Sequence, residues 1–194
     1  MAHRYDMRTL GAQIGIRGRY YLTRDKGDEA YHLIKEQLKV TSEGEALVLV
    51  FPSEQLVDSS FADESVVRLG EQIAKGMYGE RSLLLEGLTE DSMKNFRAVL
   101  KLRGIKLPLL TVWSTGEWQV IGSLEENLYE TLRIVHQHEQ MKASDLGSIL
   151  GLAVNTASTR LKRLHNFHLV RREHEVSEKG LQYIYYFWQW RQDM

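Results

Sequence analysis

Along the first 113 residues of this chain, continuous apolar runs alternate with segments in which apolar residues recur every three to four positions. This alternation predicts strands followed by helices. Three short runs are rich in leucine and valine: EALVLVF, SLLLEG and LPLLTVW. Continuous apolar runs bounded by glycine or proline are typical of strands that are buried on both faces. The segments around them carry an apolar residue every three to four positions, which predicts helices over TRDKGDEAYHLIKEQLKV, FADESVVRLGEQIAKG and TEDSMKNFRAVLKLRG. This order predicts an α/β sandwich in which helices cover a central sheet.

Further details of the N-terminal half follow from the same patterns. The segment GAQIGIRGRYYL is interpreted as one or two short strands separated by glycine. Thr89 is predicted to cap the third helix and Gly104 to end it. Residues 114–122, STGEWQVIG, are predicted to form a short linker in which WQVI can add to a sheet edge. The first helix is predicted to bury Ala30, Leu33, Ile34, Gln37 and Leu38.

Two short helices joined by a tight turn are predicted in the C-terminal part, residues 123–194. ASDLGSILGL predicts a helix that stops at Gly151, and VNTASTRLKRLHNF predicts a second helix with one apolar face. The second helix carries short amide and hydroxyl side chains first and basic residues later. SLEENLYETLRIV predicts a preceding helix, with Ser123 as its N-cap and Glu126 completing a capping box. LVRREHEV and LQYIYYF, joined by SEKG, predict a pair of strands.

The segment from Ser123 to about Trp190 resembles the winged helix-turn-helix domains of bacterial and archaeal transcription regulators. The resemblance implies an α+β domain in which VNTASTRLKRLHNF is the recognition helix and the strand pair is the wing. Two positions depart from the family pattern. Ala153 stands where a serine or threonine N-cap is usual, and His168 stands where glycine usually follows the helix. An alanine cap costs about 1 kcal/mol, which a packed domain can absorb.

Small polar groups at the start of such a helix reach base edges, while arginine and lysine pair with phosphates. The predicted base-edge contacts are Asn155, Ser158 and Thr159, with Thr156 as a further candidate. The predicted phosphate contacts are Arg160, Lys162, Arg163, Arg171 and Arg172. An open alternative is that at least one of the first three faces a carboxylate of the same domain instead.

A second motif, LVDSSFADES, lies between a predicted buried strand and the helix that follows it. It resembles the loop of the STAS fold of anti-sigma-factor antagonists, and most closely the STAS-like branch whose signature Ser-Ser-Phe-Ala-Asp-Glu matches Ser59 to Glu64. The resemblance implies a STAS-like regulatory or interaction domain over residues 1–113. It also implies that a partner kinase of the GHKL ATPase class phosphorylates Ser59, so that the candidate switch residues are Asp58, Ser59 and Ser60.

Two interpretations of this motif stay open. A helix N-terminus offers free N–H groups and the positive end of the helix dipole, which favour a phosphate. By contrast, Phe61 stands where the antagonists have glycine, and the carboxylates of Asp58, Asp63 and Glu64 would repel a phosphate. In the simpler interpretation, Asp58 or Ser59 caps the helix and Phe61 fills the core.

Composition limits the classes of protein that the chain can represent. Its 194 residues suffice for two small domains, and 43% hydrophobic with 26% charged residues is typical of a globular protein. The chain has no cysteine, which excludes disulfides and thiolate chemistry. No apolar run reaches the length of a membrane span, and the N-terminus lacks the apolar core of a signal peptide. We therefore expect a cytoplasmic protein without a membrane partner.

Charge is more informative locally than over the whole chain. The formal net charge is −1, but from Arg160 to Arg172 there are five lysine or arginine residues and no acid. A DNA-binding protein needs to be basic on only one face. The histidines are not spaced as a metal site, and the chain has neither a glycine-rich phosphate loop nor a nucleophile elbow. We expect no metal, no cofactor and no enzymatic activity. We expect the aromatic run YIYYFWQW to be buried against the preceding helix SLEENLYETLRIV, the N-terminal domain or a second subunit rather than to stack on nucleobases.

The sequence thus predicts an α/β STAS-like sandwich followed by an α+β winged helix-turn-helix domain, in a regulator that senses a signal or partner and binds duplex DNA. Helix-turn-helix proteins commonly bind as symmetric dimers, so we expect a homodimer. One alternative is a protein-interaction switch partnered with a GHKL-type ATPase. Another is a non-specific DNA-binding subunit of a larger nucleic-acid-processing or defence complex.

Overall fold

The structure of the protein is a computed structural model that describes residues 2–52, 54–177 and 180–190. The described chain divides into two compact units. The first comprises the described residues up to Ser123 together with Trp190, and the second comprises those between Leu124 and Gln189. The predicted linker, residues 114–122, is therefore part of the first unit, and so is Trp190, which the sequence assigned to the C-terminal domain.

The first unit is built on a mainly parallel sheet. Its strands are β1 (His3–Asp6), β2 (Tyr20–Tyr21), β3 (Ala46–Val50), β4 (Leu56–Val57), β5 (Ser82–Glu86), β6 (Leu109–Val112) and β7 (Trp118–Ile121). Its helices are α1 (Met7–Gln13), α2 (Arg24–Val40), α3 (Ser59–Ala62), α4 (Arg68–Ala74) and α5 (Glu90–Leu102). One sheet has the order β1-β3-β5-β6-β7, in which the first four strands are parallel and β7 is antiparallel at the edge, and β2 and β4 form a separate parallel pair.

The apolar runs identified in the sequence form the centre of this sheet. Every residue of β5 and β6 is less than one-tenth exposed, so these strands are buried on both faces, as predicted. The predicted ends of α5 are also confirmed. The Thr89 hydroxyl accepts a hydrogen bond from the Ser92 N–H group at 3.2 Å, and Gly104 has a left-handed φ of 63° just beyond the helix. The residues WQVI add to the sheet edge as β7.

The prediction of one or two short strands over GAQIGIRGRYYL is wrong for the first part of this segment, because Gly11–Gln13 belong to α1 and residues 14–15 form a turn after it. The Asp6 carboxylate accepts a hydrogen bond from the Arg8 N–H group at 2.7 Å and so caps the helix. Leu10 and Ile14 lie four positions apart and are both buried, which is the spacing of a helix face. The only part of the longer segment GAQIGIRGRYYL that forms a strand is β2.

The signature segment forms one continuous helical stretch from α3 to α4, with a π-helical turn at Asp63–Val67 between them. At this turn the Ser65 hydroxyl donates to the Phe61 carbonyl oxygen at 2.5 Å. Helix α2 crosses the same place at Gly27, where a Cβ atom would lie 2.9 Å from the Glu64 Cβ and 3.0 Å from the Phe61 carbonyl oxygen. Glycine is therefore required for the two helices to approach this closely.

The second unit contains three helices and a small antiparallel sheet. Its elements are α6 (Glu126–His138), β8 (Gln140–Lys142), α7 (Ala143–Leu150), α8 (Val154–Asn166), β9 (Val170–Ser177) and β10 (Gly180–Phe187). The sheet order is β8-β10-β9. The predicted helix-turn-helix and the two predicted wing strands are thus confirmed, while residues 178–179 of the predicted SEKG turn lie outside the described residues.

The predicted capping box at the start of α6 is wrong. The helix begins two residues later than expected, with Glu125 rather than Ser123 at the N-cap position and without a hydrogen bond from a capping side chain. The backbone of Glu125 is extended, with φ of −62° and ψ of 143°, so Ser123 lies too far from the first helical N–H groups to cap them. Leu128, Leu132 and Val135 form the fully buried face of the helix, whereas Leu124 precedes the helix and is half-buried.

Within the described ranges, no helix combines the length and the apolar character needed to cross a lipid bilayer.

Candidate nucleic-acid interface

The turn between α7 and α8 is tight because it contains glycine where the backbone requires it. Helix α7 ends at Gly151, whose φ of 64° is left-handed, as predicted. The Leu152 N–H group donates to the Gly147 carbonyl at 2.9 Å, and a Cβ on Gly147 would lie 2.9 Å from the Leu152 carbonyl oxygen. Ala153 occupies the N-cap position of α8 without a side-chain hydrogen bond. These contacts set where α8 begins relative to α7.

Helix α8 has a buried face and an opposite polar face. Its buried side chains are Ala157, Leu161 and Leu164, each with no exposed surface. Asn155, Thr159, Lys162 and Asn166 are exposed and follow each other at intervals of four, three and four residues. At 100° per residue these four side chains form one line on the side away from the buried stripe.

The structure places all four predicted base-contacting residues on the surface, since Thr156 and Ser158 are exposed on either side of this line. Among the described residues, the Asn155 side chain has no hydrogen-bond partner, so its amide is available to a ligand. The Thr159 hydroxyl donates to the Asn155 carbonyl at 2.9 Å, which leaves a lone-pair acceptor and the methyl group for outside contacts. Asn166 was missed by the sequence reasoning, although its spacing from Asn155 was a usable signal.

Two of the three predicted phosphate contacts on α8 face carboxylates of the same unit. Arg163 forms a two-pronged pair with Glu125, in which Nη1 donates to Oε2 at 2.8 Å and Nη2 donates to Oε1. Hydrogen bonding to Glu125 raises the pKa of the Arg163 guanidinium above its usual value. Arg160 Nη1 lies 3.4 Å from the Glu130 carboxylate. In the part of the chain that the structure describes, the exposed Lys162 ammonium has no carboxylate partner.

The wing cations are also engaged within the unit. Arg171 pairs with the Glu173 carboxylate, and its guanidinium carbon lies 4.1 Å from the centre of the Tyr186 ring. The guanidinium carbon of Arg172 lies 4.5 Å from the centre of the Tyr183 ring. Both arginines are half-buried, so a phosphate contact by either one requires the local pairing to change.

The end of α8 is fixed by the aromatic run. His168 follows the helix with a left-handed φ of 57°, at the position where the resemblance pointed to glycine. The indole N–H of Trp188 donates to the His168 carbonyl at 3.1 Å. Tyr185, Phe187 and Trp188 are buried, so these aromatic side chains pack within the protein as predicted, whereas Tyr183 is 42% exposed.

The histidines do not come together as a ligand set. The His136 ring lies edge-on to Phe187 with 4.7 Å between the ring centres, and the His165 ring lies edge-on to Tyr185 with 6.4 Å between the ring centres. Across the described ranges, no group of three or more histidine, aspartate or glutamate side chains is arranged to hold a metal ion.

The motif LVDSSFADES of the first unit includes the start of α3, and hydrogen bonds from its own helix and from α5 hold it in place. The Asp58 carboxylate accepts a hydrogen bond from the Phe61 N–H group at 2.7 Å, so Asp58 is the helix cap. Just before it, the Val57 N–H group donates to the Ser92 hydroxyl at 3.0 Å, and the Asn95 side chain donates to the Val57 carbonyl at 2.8 Å. Phe61 is fully buried, and the candidate switch residues Ser59 and Ser60 are half-buried.

The two acids that end the signature are paired with arginines from three separate segments. Asp63 accepts from Arg103 at 2.7 Å and lies 3.5 Å from Arg24. Glu64 accepts from Arg24 at 2.5 Å and lies 3.8 Å from Arg68. These pairs neutralise the carboxylates that the sequence interpretation counted against a phosphate at this loop. These ion pairs were not predicted from the sequence, because Arg24 and Arg103 lie about 40 residues from the acids that they contact.

Comparison with known proteins identifies one part of the chain. No curated protein and no solved structure matches the chain. Residues 124–179 match the family model of the MarR family, a range that runs from the residues before α6 to those just after β9. The first unit lies outside this match. The second unit is therefore a winged helix-turn-helix domain similar to that of MarR-family DNA-binding transcription regulators.

Proposed function

We propose that the protein is a transcription regulator in which α8 enters the major groove of duplex DNA. The observation that carries this proposal is the exposed line of Asn155, Thr159 and Lys162 on α8, the second helix of the helix-turn-helix within the matched range. The major groove is wide enough to admit an α-helix, and amide and hydroxyl groups distinguish base pairs there.

The exposed polar side chains of α8 and of the strands after it have roles that fit their chemistry. The Asn155 amide can donate to N7 and accept from the N6 amino group of one adenine, which makes it the main base-reading group. Ser158 and Thr156 read bases of either class, and the Thr159 methyl group packs against a thymine methyl. Lys162, farther along the helix, binds a backbone phosphate. The other proposed phosphate contacts, made by exchange of their present partners, are Arg160, Arg163, Arg171 and Arg172.

Lys162→Ala should weaken binding to every duplex by a similar factor, because a phosphate contact carries no sequence information. The slope of log K against log salt concentration should fall in magnitude by about 0.9, the value for one lost phosphate contact on duplex DNA. Fluorescence anisotropy with a labelled duplex over a range of salt concentrations measures both quantities. Lys101→Ala, which removes an exposed lysine of the first unit, is the matched control. Equal slopes for the two variants would contradict the placement of α8 on DNA.

The proposal includes a homodimer on a two-fold symmetric site. Two recognition helices in successive major grooves lie about 34 Å apart, which sets the spacing of the half-sites. In the same titration we expect a stoichiometry of two chains for each duplex.

For the first unit we propose a STAS-like module that receives a signal or a partner, with Ser59 as the residue modified by a kinase of the GHKL ATPase class. Two observations support this role. Ser59 lies at the start of a long helical stretch, and the nearby acids Asp63 and Glu64 are already paired with arginines. Asp58 remains as the cap, so a phosphate on Ser59 must share this helix N-terminus with one carboxylate.

Mass spectrometry of the protein isolated from its own host tests this second part. We expect a phosphate on Ser59, its loss in Ser59→Ala and its retention in Ser60→Ala, since the implied kinase acts on the first serine after the aspartate. An unmodified Ser59 under all growth conditions, or phosphate only on Ser60, would contradict it. The result is independent of DNA binding, so each half of the proposal can fail alone.

A further inference from the structure

Glu125 directs its carboxylate away from the helix that it precedes and towards the recognition helix. It occupies the N-cap position of α6, where a side chain usually accepts from the first free N–H groups, but it makes no capping hydrogen bond. Both carboxylate oxygens instead accept from the two terminal nitrogens of Arg163. A planar guanidinium that holds two oxygens in this way is also the arrangement by which arginine binds a phosphate group.

The pair is placed where DNA could compete for it. Arg163 follows Lys162 directly and lies one helical turn after Thr159, at the border of the exposed line of α8. The side chain of Arg163 is 40% exposed and that of Glu125 is 58% exposed. An ion pair this accessible to solvent is held weakly, so a phosphate can displace the carboxylate at small cost.

We propose that Glu125 is an internal competitor for the DNA phosphate that Arg163 binds, so that Glu125 lowers the affinity of the domain for DNA. The inference rests on the proposed function of α8. Binding then exchanges a carboxylate for a phosphate on Arg163, and each encounter with DNA must displace Glu125 first. The neighbouring pair of Arg160 and Glu130 has a longer separation of 3.4 Å and a single contact, so Glu125 is the stronger competitor.

Glu125→Gln tests the proposal, because it removes the charge and keeps the size of the side chain. Glu126→Gln is the matched control. Glu126 is the next residue, is exposed in the first turn of α6 and, among the described residues, has no ion-pair partner. Both variants remove one negative charge at the same end of the same helix, so a difference between them isolates the pairing with Arg163.

We expect E125Q to bind duplex DNA about two- to fivefold more tightly than E126Q at low salt, the range that an exposed ion pair can contribute. Its salt dependence should be steeper than that of E126Q, because salt screens the exposed Arg163–Glu125 pair that E126Q must break and so narrows the difference between the two variants. In an Arg163→Gln background, E125Q and E126Q should bind equally. Thermal unfolding of each variant establishes that the compared proteins are folded.

Equal binding by E125Q and E126Q in the natural background would overturn the inference and leave the proposed function standing. Weaker binding by a folded E125Q would do the same, since it would mean that Glu125 supports the DNA-binding position of α8. Absence of salt-dependent binding by the unmodified protein would instead overturn the proposed function, and the inference with it.

Discussion

Replacing Asn155 with alanine is expected to remove the preference for one base pair while the protein stays folded. The side chain is exposed and, within the part of the chain that the structure describes, has no hydrogen-bond partner, so its loss costs little stability. A two-bond contact between an amide and adenine contributes about 1–3 kcal/mol of discrimination against the wrong base. Competition between the preferred duplex and duplexes substituted at single positions measures this loss.

Lys162→Ala provides the contrast for this variant, since it should lower the affinity for all duplexes without changing their order. If N155A kept the full preference at every position, Asn155 would not be a base-reading residue. If N155A lost affinity equally for all duplexes, its role would be that of a backbone contact.

Phe61→Ala is expected to reduce the free energy of unfolding of the first unit by about 3–5 kcal/mol, the usual cost of deleting a fully buried phenyl ring. Phe61 has no exposed surface and meets the Tyr21 ring edge-on at 5.2 Å. Tyr21 is itself buried, and burial raises the pKa of its hydroxyl to about 12. Urea unfolding followed by a probe in the first unit measures the effect.

Ser60→Ala, one residue earlier on the same helix, is the control for Phe61→Ala and should change stability much less, because Ser60 is half-buried and does not supply the cap. A loss of less than about 1 kcal/mol for F61A would contradict the packing described for this motif. The expected large loss would show that the Phe61 ring belongs to the core of the first unit.

The parts of the fold that the sequence predicted are those in which one local pattern decides the structure. The run EALVLVF has no polar face to present to water, so a strand buried on both faces is its simplest arrangement. Glycine at position 151 allows the left-handed backbone that ends a helix, and Thr89 carries a hydroxyl that can cap one. Each of these features is determined within a few residues.

The parts that the sequence missed depend on longer-range contacts or on competing local signals. The glycines in GAQIGIRGRYYL suggested short strands, but the helix that Asp6 caps and that buries Leu10 extends through Gly11–Gln13. Ser123 and Glu126 had the spacing of a capping box, yet the chain stays extended as far as Glu125. The π-helical turn was not predicted either; it lies where Gly27 of α2 crosses Phe61 and Glu64, a contact between segments that are distant in sequence.

The same distinction holds for the candidate interface. The polar line on α8 follows from helical spacing alone, which is why Asn155, Ser158 and Thr159 could be chosen from the sequence. The partners of the arginines could not be, because Glu125 precedes Arg163 by 38 residues and Glu130 precedes Arg160 by 30. Charge counted along the sequence therefore overstated the number of cations that are ready to bind phosphate.

Selection of bound duplexes from a random pool is the most direct test of the central proposal, that α8 reads DNA sequence. The unmodified protein should enrich duplexes that share a short symmetric motif, with adenine at the position that loses its preference in N155A. Recovery of unrelated sequences, together with salt-dependent binding, would contradict sequence reading and would favour a non-specific DNA-binding subunit of a larger complex.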